Sequence, residues 1–230
     1  TSQITAYISK EVALILLLGL YSSFVTRARY QERNELYFFL VFSPEEVTRL
    51  LSLGSVKVVR DYFNIKDEAK NVLREVLART SLSEALAVEL ALNIKLRELL
   101  REHNLEKISL TLFKISPEGQ TYKIYEQIPI VIYRMTPVMR SLGRYYRDPE
   151  TIINILSREF TAQGALLRTL ANTDADEHED VVEAVINLYR FVVLGDPTGW
   201  YMFLRKVVDA HKKVEGKTDA YLKLLSKLSY

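Results

Sequence analysis

The stretch 133–147 reads YRMTPVMRSLGRYYR, bringing Arg134, Arg140, Arg144 and Arg147 together with no acid among them and with Tyr133, Tyr145 and Tyr146 interleaved. Guanidinium forks match phosphate oxygens and tyrosine rings stack on unpaired bases, so this pattern can hold a nucleic-acid strand. Its plainer alternative is a solvent-facing connector whose tyrosines pack against neighbouring helices. A second basic set, Arg205, Lys206, Lys212, Lys213, Lys217, Lys223 and Lys227, exceeds Asp209, Glu215 and Asp219 by four charges. That set is either a face for a polyanion or a solvated helix surface. Arg27, Arg29 and Arg33 form a third, smaller cluster. The candidate nucleic-acid-binding residues are Arg134, Arg140, Arg144, Tyr145, Tyr146, Arg147, Arg205, Lys206, Lys212 and Lys213.

Nothing of equal weight points to catalysis. The sequence holds no P-loop, G-x-G-x-x-G, G-x-S-x-G, H-E-x-x-H or S-x-x-K pattern, so no nucleophile is supplied with its base and no cofactor is expected. The absence of cysteine excludes disulfides, thiolate zinc sites and cysteine nucleophiles, and fits a cytoplasmic chain. His103, His178 and His211 are scattered without ligand spacing and read as helix-end residues. The acidic run Asp174, Asp176, Glu177, Glu179, Asp180 and Glu183 could hold a divalent cation through oxygen ligands. Carboxylates in a linker and a first helical turn also offset the helix dipole, and this is the preferred reading, with no metal expected.

The elements that must carry these residues follow from punctuation and period. Residues 4–26 contain almost no breaker besides Gly19 and predict a mostly buried helix, followed by a polar, basic stretch at 27–35. The aromatic-rich run 35–42 (ELYFFLVF) predicts a central strand covered on both sides. Ser43, Pro44 and Glu46 then start a helix that stops near Gly54. Residues 55–62 stay open between states. Helical spacing returns at 67–79 and 83–102, the second introduced by Ser81 and Glu84 as a capping box. Alternation at 107–116 and 120–133 around Ser116-Pro117-Glu118-Gly119 predicts a hairpin, with Pro129 marking an edge or a bulge.

Beyond Asp148-Pro149-Glu150 a helix is expected to about residue 172, then helices at 181–194, from Asp196-Pro197 to near Gly216, and at 219–228. Trp200 and its neighbours Tyr201 and Phe203 read as packing residues. Four helices with short connections predict an up-down bundle. The fold class is α+β, mostly helical, with a small antiparallel sheet backed by helices and then a C-terminal four-helix bundle. The division is 1–148 as an α+β domain with a β-hairpin at 107–133, and 149–230 as a helical bundle domain.

Composition bounds these readings. The 230 residues are 48% hydrophobic and 26% charged, with 8 Gly and 6 Pro, which excludes long disordered or collagen-like stretches. With 31 Lys+Arg against 29 Asp+Glu the net charge is +2, so any nucleic-acid site is a local patch. The apolar run 12–20 falls short of the roughly 20 residues that span a bilayer and reads as a buried helix, so no membrane is expected. It lacks a cationic n-region, and the chain opens at Thr1 without an initiator methionine, as a trimmed chain would.

The order of a helix, the 35–42 strand, the Ser43-Pro44-Glu45-Glu46 helix start, the hairpin with Gly119-Gln120-Thr121-Tyr122-Lys123-Ile124-Tyr125, and an all-helical end with Leu194-Gly195-Asp196 and 200–206 resembles the large subunit of archaeal-type CRISPR Cascade complexes. The resemblance implies a non-catalytic subunit of an RNA-guided surveillance complex. Its partners would be crRNA, target DNA and other Cascade proteins, and its C-terminal bundle would resemble the separate small subunit. Members of that family are usually longer. The basic residues named above are chosen from charge pattern and not carried over from the family. A helical adaptor or oligomeric scaffold without nucleic-acid binding is the second expectation, and a metal-dependent nuclease using the 174–180 acids the third.

Overall fold

The computed structural model describes residues 8–30, 34–78, 85–134, 149–161, 163–217 and 219–228. In chain order the described elements are α1 (Lys10–Ser23), β1 (Phe24–Tyr30), β2 (Asn34–Phe42), α2 (Pro44–Ser52), α3 (Val56–Leu77), α4 (Ala85–Glu102), β3 (Lys107–Glu118) and β4 (Thr121–Tyr133). They continue with α5 (Pro149–Glu159), α6 (Ala165–Leu170), α7 (His178–Val192), α8 (Pro197–Lys213) and α9 (Ala220–Leu228). The molecule is α+β and mostly helical, with one four-stranded antiparallel sheet in the order β1-β2-β3-β4.

Successive strand side chains point to opposite faces. Leu36, Phe38 and Leu40 of β2, Ile108, Leu110 and Leu112 of β3, and Ile130 and Ile132 of β4 are buried, and the register pairs Leu40 with Leu112 and Leu110 with Ile130 on one face. That face packs against the apolar stripe of α3, with Tyr62, Ile65, Ala69, Leu73 and Val76, and against α4. Phe42, on the same face, meets the rings of Tyr62 and Phe63 edge-on at 6.3 and 5.4 Å. Gly119, at φ 63°, opens the two-residue turn between the paired Glu118 and Thr121, where a residue with a Cβ would be strained.

The start of α2 is tied into the sheet. Ser43 caps the helix by accepting from the Glu46 amide at 3.4 Å, while the Ser43 amide donates to the Ser109 carbonyl at 2.9 Å. The Glu46 carboxylate accepts from the Ser109 amide at 3.1 Å instead of turning back on its own cap, so a side chain completes the β3 ladder where β2 ends.

On the other side α4 packs against α5 and α7. Its buried Arg97 donates to the Val192 carbonyl at 3.1 Å, and its Glu89 accepts from the Tyr189 hydroxyl at 3.0 Å. Burial holds the Arg97 guanidinium down at about 10 and pushes the Tyr189 phenol up to about 12, helped by the Glu89 charge. Trp200 is buried between Phe191 and Phe203 at ring separations of 5.2 and 5.5 Å, as expected, while Tyr201 stays exposed.

Several expectations are corrected. The 4–26 helix gives way at Ser23, because Phe24 and Val25 already belong to β1, and the basic stretch after it is a strand through Tyr30. Helix α1 is exposed from Lys10 to Tyr21, apart from the half-buried Ala13, and is buried only at Ser23. Strand β2 is central, but only one of its faces is closed: Tyr37, Phe39 and Val41 are half-buried. The open stretch 55–62 is helical from Val56 on, with Ser55 at the N-cap of α3. The expected 149–172 helix splits into α5 and α6, so five helices and not four are described after residue 148. A Cβ on Gly164 would lie 2.2 Å from the Glu159 carbonyl oxygen, and the Glu159 carboxylate accepts from the Ala165 amide at 2.9 Å, so the chain turns back sharply there. Pro129 does lie on an edge strand, but the bulge falls at Tyr125. The Ser81 to Glu84 capping box lies outside the described residues.

Candidate nucleic-acid interface

The face of the sheet turned away from α3 and α4 is aromatic. The register brings Arg27 beside Tyr37, Phe24 and Phe113 beside Phe39, Ile115 beside Tyr37 and Ile124, and Tyr122 beside Pro117. Phe24 and Phe39 meet edge-on at 5.6 Å, and Tyr37 and Tyr122 at 6.3 Å. Towards the hairpin tip both faces open: Tyr122 is 72% exposed, Tyr125 71% and Ile124 58%. Arg27 lies on this face with a loose ion pair of 3.9 Å to Glu35, while Lys123, paired with Ser116 on the other face of the hairpin, has one of 3.9 Å to Glu118. The Tyr37 hydroxyl donates to Glu35 at 2.9 Å, and that bond together with the carboxylate's charge holds the phenol above its ordinary range. Such a surface offers rings for bases and cations for phosphates.

The residues singled out from charge pattern fall in two places. Arg140, Arg144, Tyr145, Tyr146 and Arg147 lie outside the described residues. Arg134 follows β4 directly and is bound to acid and amide: it pairs with Glu106 at 2.6 Å, donates to Asn104 Oδ1 at 3.2 Å, and its amide reaches the Glu106 carbonyl at 2.9 Å. Glu106 is remote in sequence, so the acid-free look of 133–147 does not survive folding at this residue.

The basic face of α8 is answered by the acids before and within α7 and, at Lys212, by Asp209 of α8 itself. Lys206 pairs with Glu183 at 2.6 Å and Asp180 at 3.2 Å, Lys213 with Asp180 at 2.7 Å, and Lys212 with Asp209 at 3.3 Å, while Lys217 meets Asp176 at 3.3 Å. The hydrogen bonds from Lys213 and then Lys206 hold the Asp180 carboxyl below its ordinary range. The Glu183 and Asp180 acceptors raise Lys206, and Asp180 raises Lys213. Arg205 is exposed on the same helix. The acidic run and the basic helix, read apart as a cation site and a polyanion face, are largely each other's counterions. Among the described residues no group of three or more His, Asp or Glu is placed to hold a metal ion. His103 sits 3.1 Å from Asp61, and the His178 ring bonds the Thr169 carbonyl at 3.0 Å, both near helix ends.

The sheet face was missed in sequence because its strands were read for burial and not for what their second face offers. The available signal was Tyr37 and Phe39 alternating with Leu36, Phe38 and Leu40, and Tyr122, Ile124 and Tyr125 beyond the hairpin turn.

A half-open antiparallel sheet carried on a helical scaffold is thus the class of molecule observed. No family model matches the chain, and no solved structure matches it. It is 46% identical over 223 residues to a protein of Archaeoglobus fulgidus described as an uncharacterized protein, and the match covers 95% of this chain. It covers 56% of that relative, so the chain spans little more than half of the relative's length. Among the described residues no helix is long and apolar enough to cross a membrane.

Proposed function

We propose that the protein is a non-catalytic nucleic-acid-binding subunit of a cytoplasmic RNA-guided CRISPR surveillance complex, and that it holds unpaired bases on the open face of its sheet. The observation that carries the binding claim is the aromatic surface of Tyr37, Phe39 and Tyr122 flanked by Arg27, on which Tyr122 is exposed and Tyr37 and Phe39 are half-buried among the described residues, while helices close the opposite face. Stacking of this kind tolerates any base and favours single strands. Arg134 follows β4 and leads into the connector with Arg140, Arg144, Tyr145, Tyr146 and Arg147, which would extend the track along the phosphates; Arg205, like Lys212 and Lys213, is an exposed cation of α8. The partners in this reading are crRNA, target DNA and the other Cascade proteins, as the sequence resemblance implies. Purification from the native source tests it: short RNAs and additional subunits are expected to accompany the chain, and a preparation free of both contradicts the reading.

A second reading, a helical adaptor or oligomeric scaffold, is favoured by one observation, the exposed apolar surface of α1. It predicts no affinity for oligonucleotides at any salt concentration.

A further inference from the structure

Helix α1 is apolar on every side. From Val12 to Tyr21 it carries no charge, and at about 100° per residue its large side chains surround the whole cylinder. Leu14 is 57% exposed, Ile15 66%, Leu17 64% and Tyr21 83%, with Leu16, Leu18 and Leu20 also more than half exposed. A helix apolar all round belongs inside a protein, yet the described residues leave this one in solvent.

The helix is nonetheless firmly placed. Ser9 caps its start by accepting from the Val12 amide at 3.3 Å. Cations in a row on α3 hold its end and the strand that follows: Lys66 donates to the Ser22 hydroxyl at 2.8 Å and Lys70 to the Ser22 carbonyl at 2.9 Å, while Arg74 donates to the Val25 carbonyl of β1 at 3.1 Å. Lys66 is itself buried against the rings of Phe42 and Phe63 at 5.3 and 5.4 Å. A rod held this way is presented in one direction.

An amphipathic helix would suit a flat partner or a lipid interface, whereas a rod apolar all round is covered inside a protein or across a bilayer. With 14 residues α1 is too short to span a bilayer, so a groove that encloses it is what satisfies it. Pairing of α1 with a second α1 would cover one stripe of each copy and leave the rest in water. The mass for a groove is available: the 46% identical relative extends well beyond the matched region, which is 56% of its length. We propose that α1 is the docking helix of a longer protein and inserts into an apolar groove formed by polypeptide of the kind this relative carries outside the match.

The test mixes the 230-residue chain with the unmatched portion of the relative, produced as a separate polypeptide. A one-to-one complex is expected by size-exclusion chromatography with light scattering, and hydrogen exchange of the wild-type chain is expected to slow throughout α1 on mixing. Leu14 and Leu16 point about 200° apart on the helix. Leu14→Glu and Leu16→Glu are each expected to weaken the complex at least tenfold, while Leu14→Met and Leu16→Met retain it. Both glutamate variants are expected to keep the wild-type circular dichroism, since both leucines are exposed. The proposal is overturned by absence of a complex, by unchanged exchange in α1, or by a complex that tolerates either glutamate. It is also overturned by a dimer of the chain alone that only one of the two changes breaks, or by α1-dependent binding to phosphatidylcholine vesicles.

Discussion

Asp180 accepts from Lys213 and Lys206, two residues of α8 that look in the sequence like free basic charge. Its carboxyl is held below the ordinary 3.8 by those bonds, so the stability it contributes is present above that value and is lost as the pH falls through the lower native one. Asp180→Asn is therefore expected to destabilise the protein near neutral pH, with the gap to wild type closing as the pH drops below about 4, as urea unfolding across pH would read. The charge runs were legible in the sequence and their partners were not, because the acids of α7 and the lysines of α8 meet only after the two helices pack. Ser43 was legible as a cap from its neighbours Pro44 and Glu46. Its replacement by Ala is expected to lower stability by about 1 kcal/mol in denaturant titrations. The diversion of the Glu46 carboxylate to the Ser109 amide had no local signal, since its partner lies on β3.

Elements were legible where period and punctuation agreed. The hairpin of β3 and β4 followed from alternation around Gly119, and α8 from Asp196-Pro197, where the Asp196 carboxylate accepts from the Thr198 amide at 2.9 Å. The break between α5 and α6 was not legible, because Gly164 inside an apolar helical pattern reads as a tolerated interruption. Close approach of backbone is what fixes glycine at such points. A Cβ on Gly199 would stand 2.5 Å from the Asn187 carbonyl oxygen and 2.9 Å from the Phe191 amide nitrogen, where α8 crosses α7. Gly199→Ala is expected to force the two helices apart and lower stability by about 1–3 kcal/mol. Gly54→Ala would meet no neighbour within 4 Å and tests conformational strain alone, at φ 56°. The smaller loss is expected there.

At the scale of the molecule, α4 belongs to both parts of the expected division. The boundary at residue 148 falls in a stretch outside the described residues, while α4 packs against α3 and β4 on one side and α5 and α7 on the other. One cluster of buried side chains runs through both. Arg97→Ala removes the guanidinium that meets the Val192 carbonyl and leaves a hole between α4 and α7. It is expected to lower stability by about 2–4 kcal/mol, read by calorimetry. The class of fold was legible in composition and period. The exposure of α1 was not, since an apolar run reads as buried whether or not the chain at hand supplies what covers it.

The surface proposed to hold nucleic acid is tested most directly by titrating a fluorescent single strand and its duplex against three proteins: wild type, a Tyr37→Ala/Tyr122→Ala double variant and an Arg140→Ala/Arg144→Ala double variant, each at two salt concentrations. The account predicts that wild type prefers the single strand, and that the tyrosine variant loses about 1–3 kcal/mol for each base no longer stacked. The arginine variant is predicted to weaken both ligands alike with a shallower salt dependence, by roughly one unit of slope for each phosphate contact removed. Equal affinities of wild type and the tyrosine variant for the single strand would contradict it.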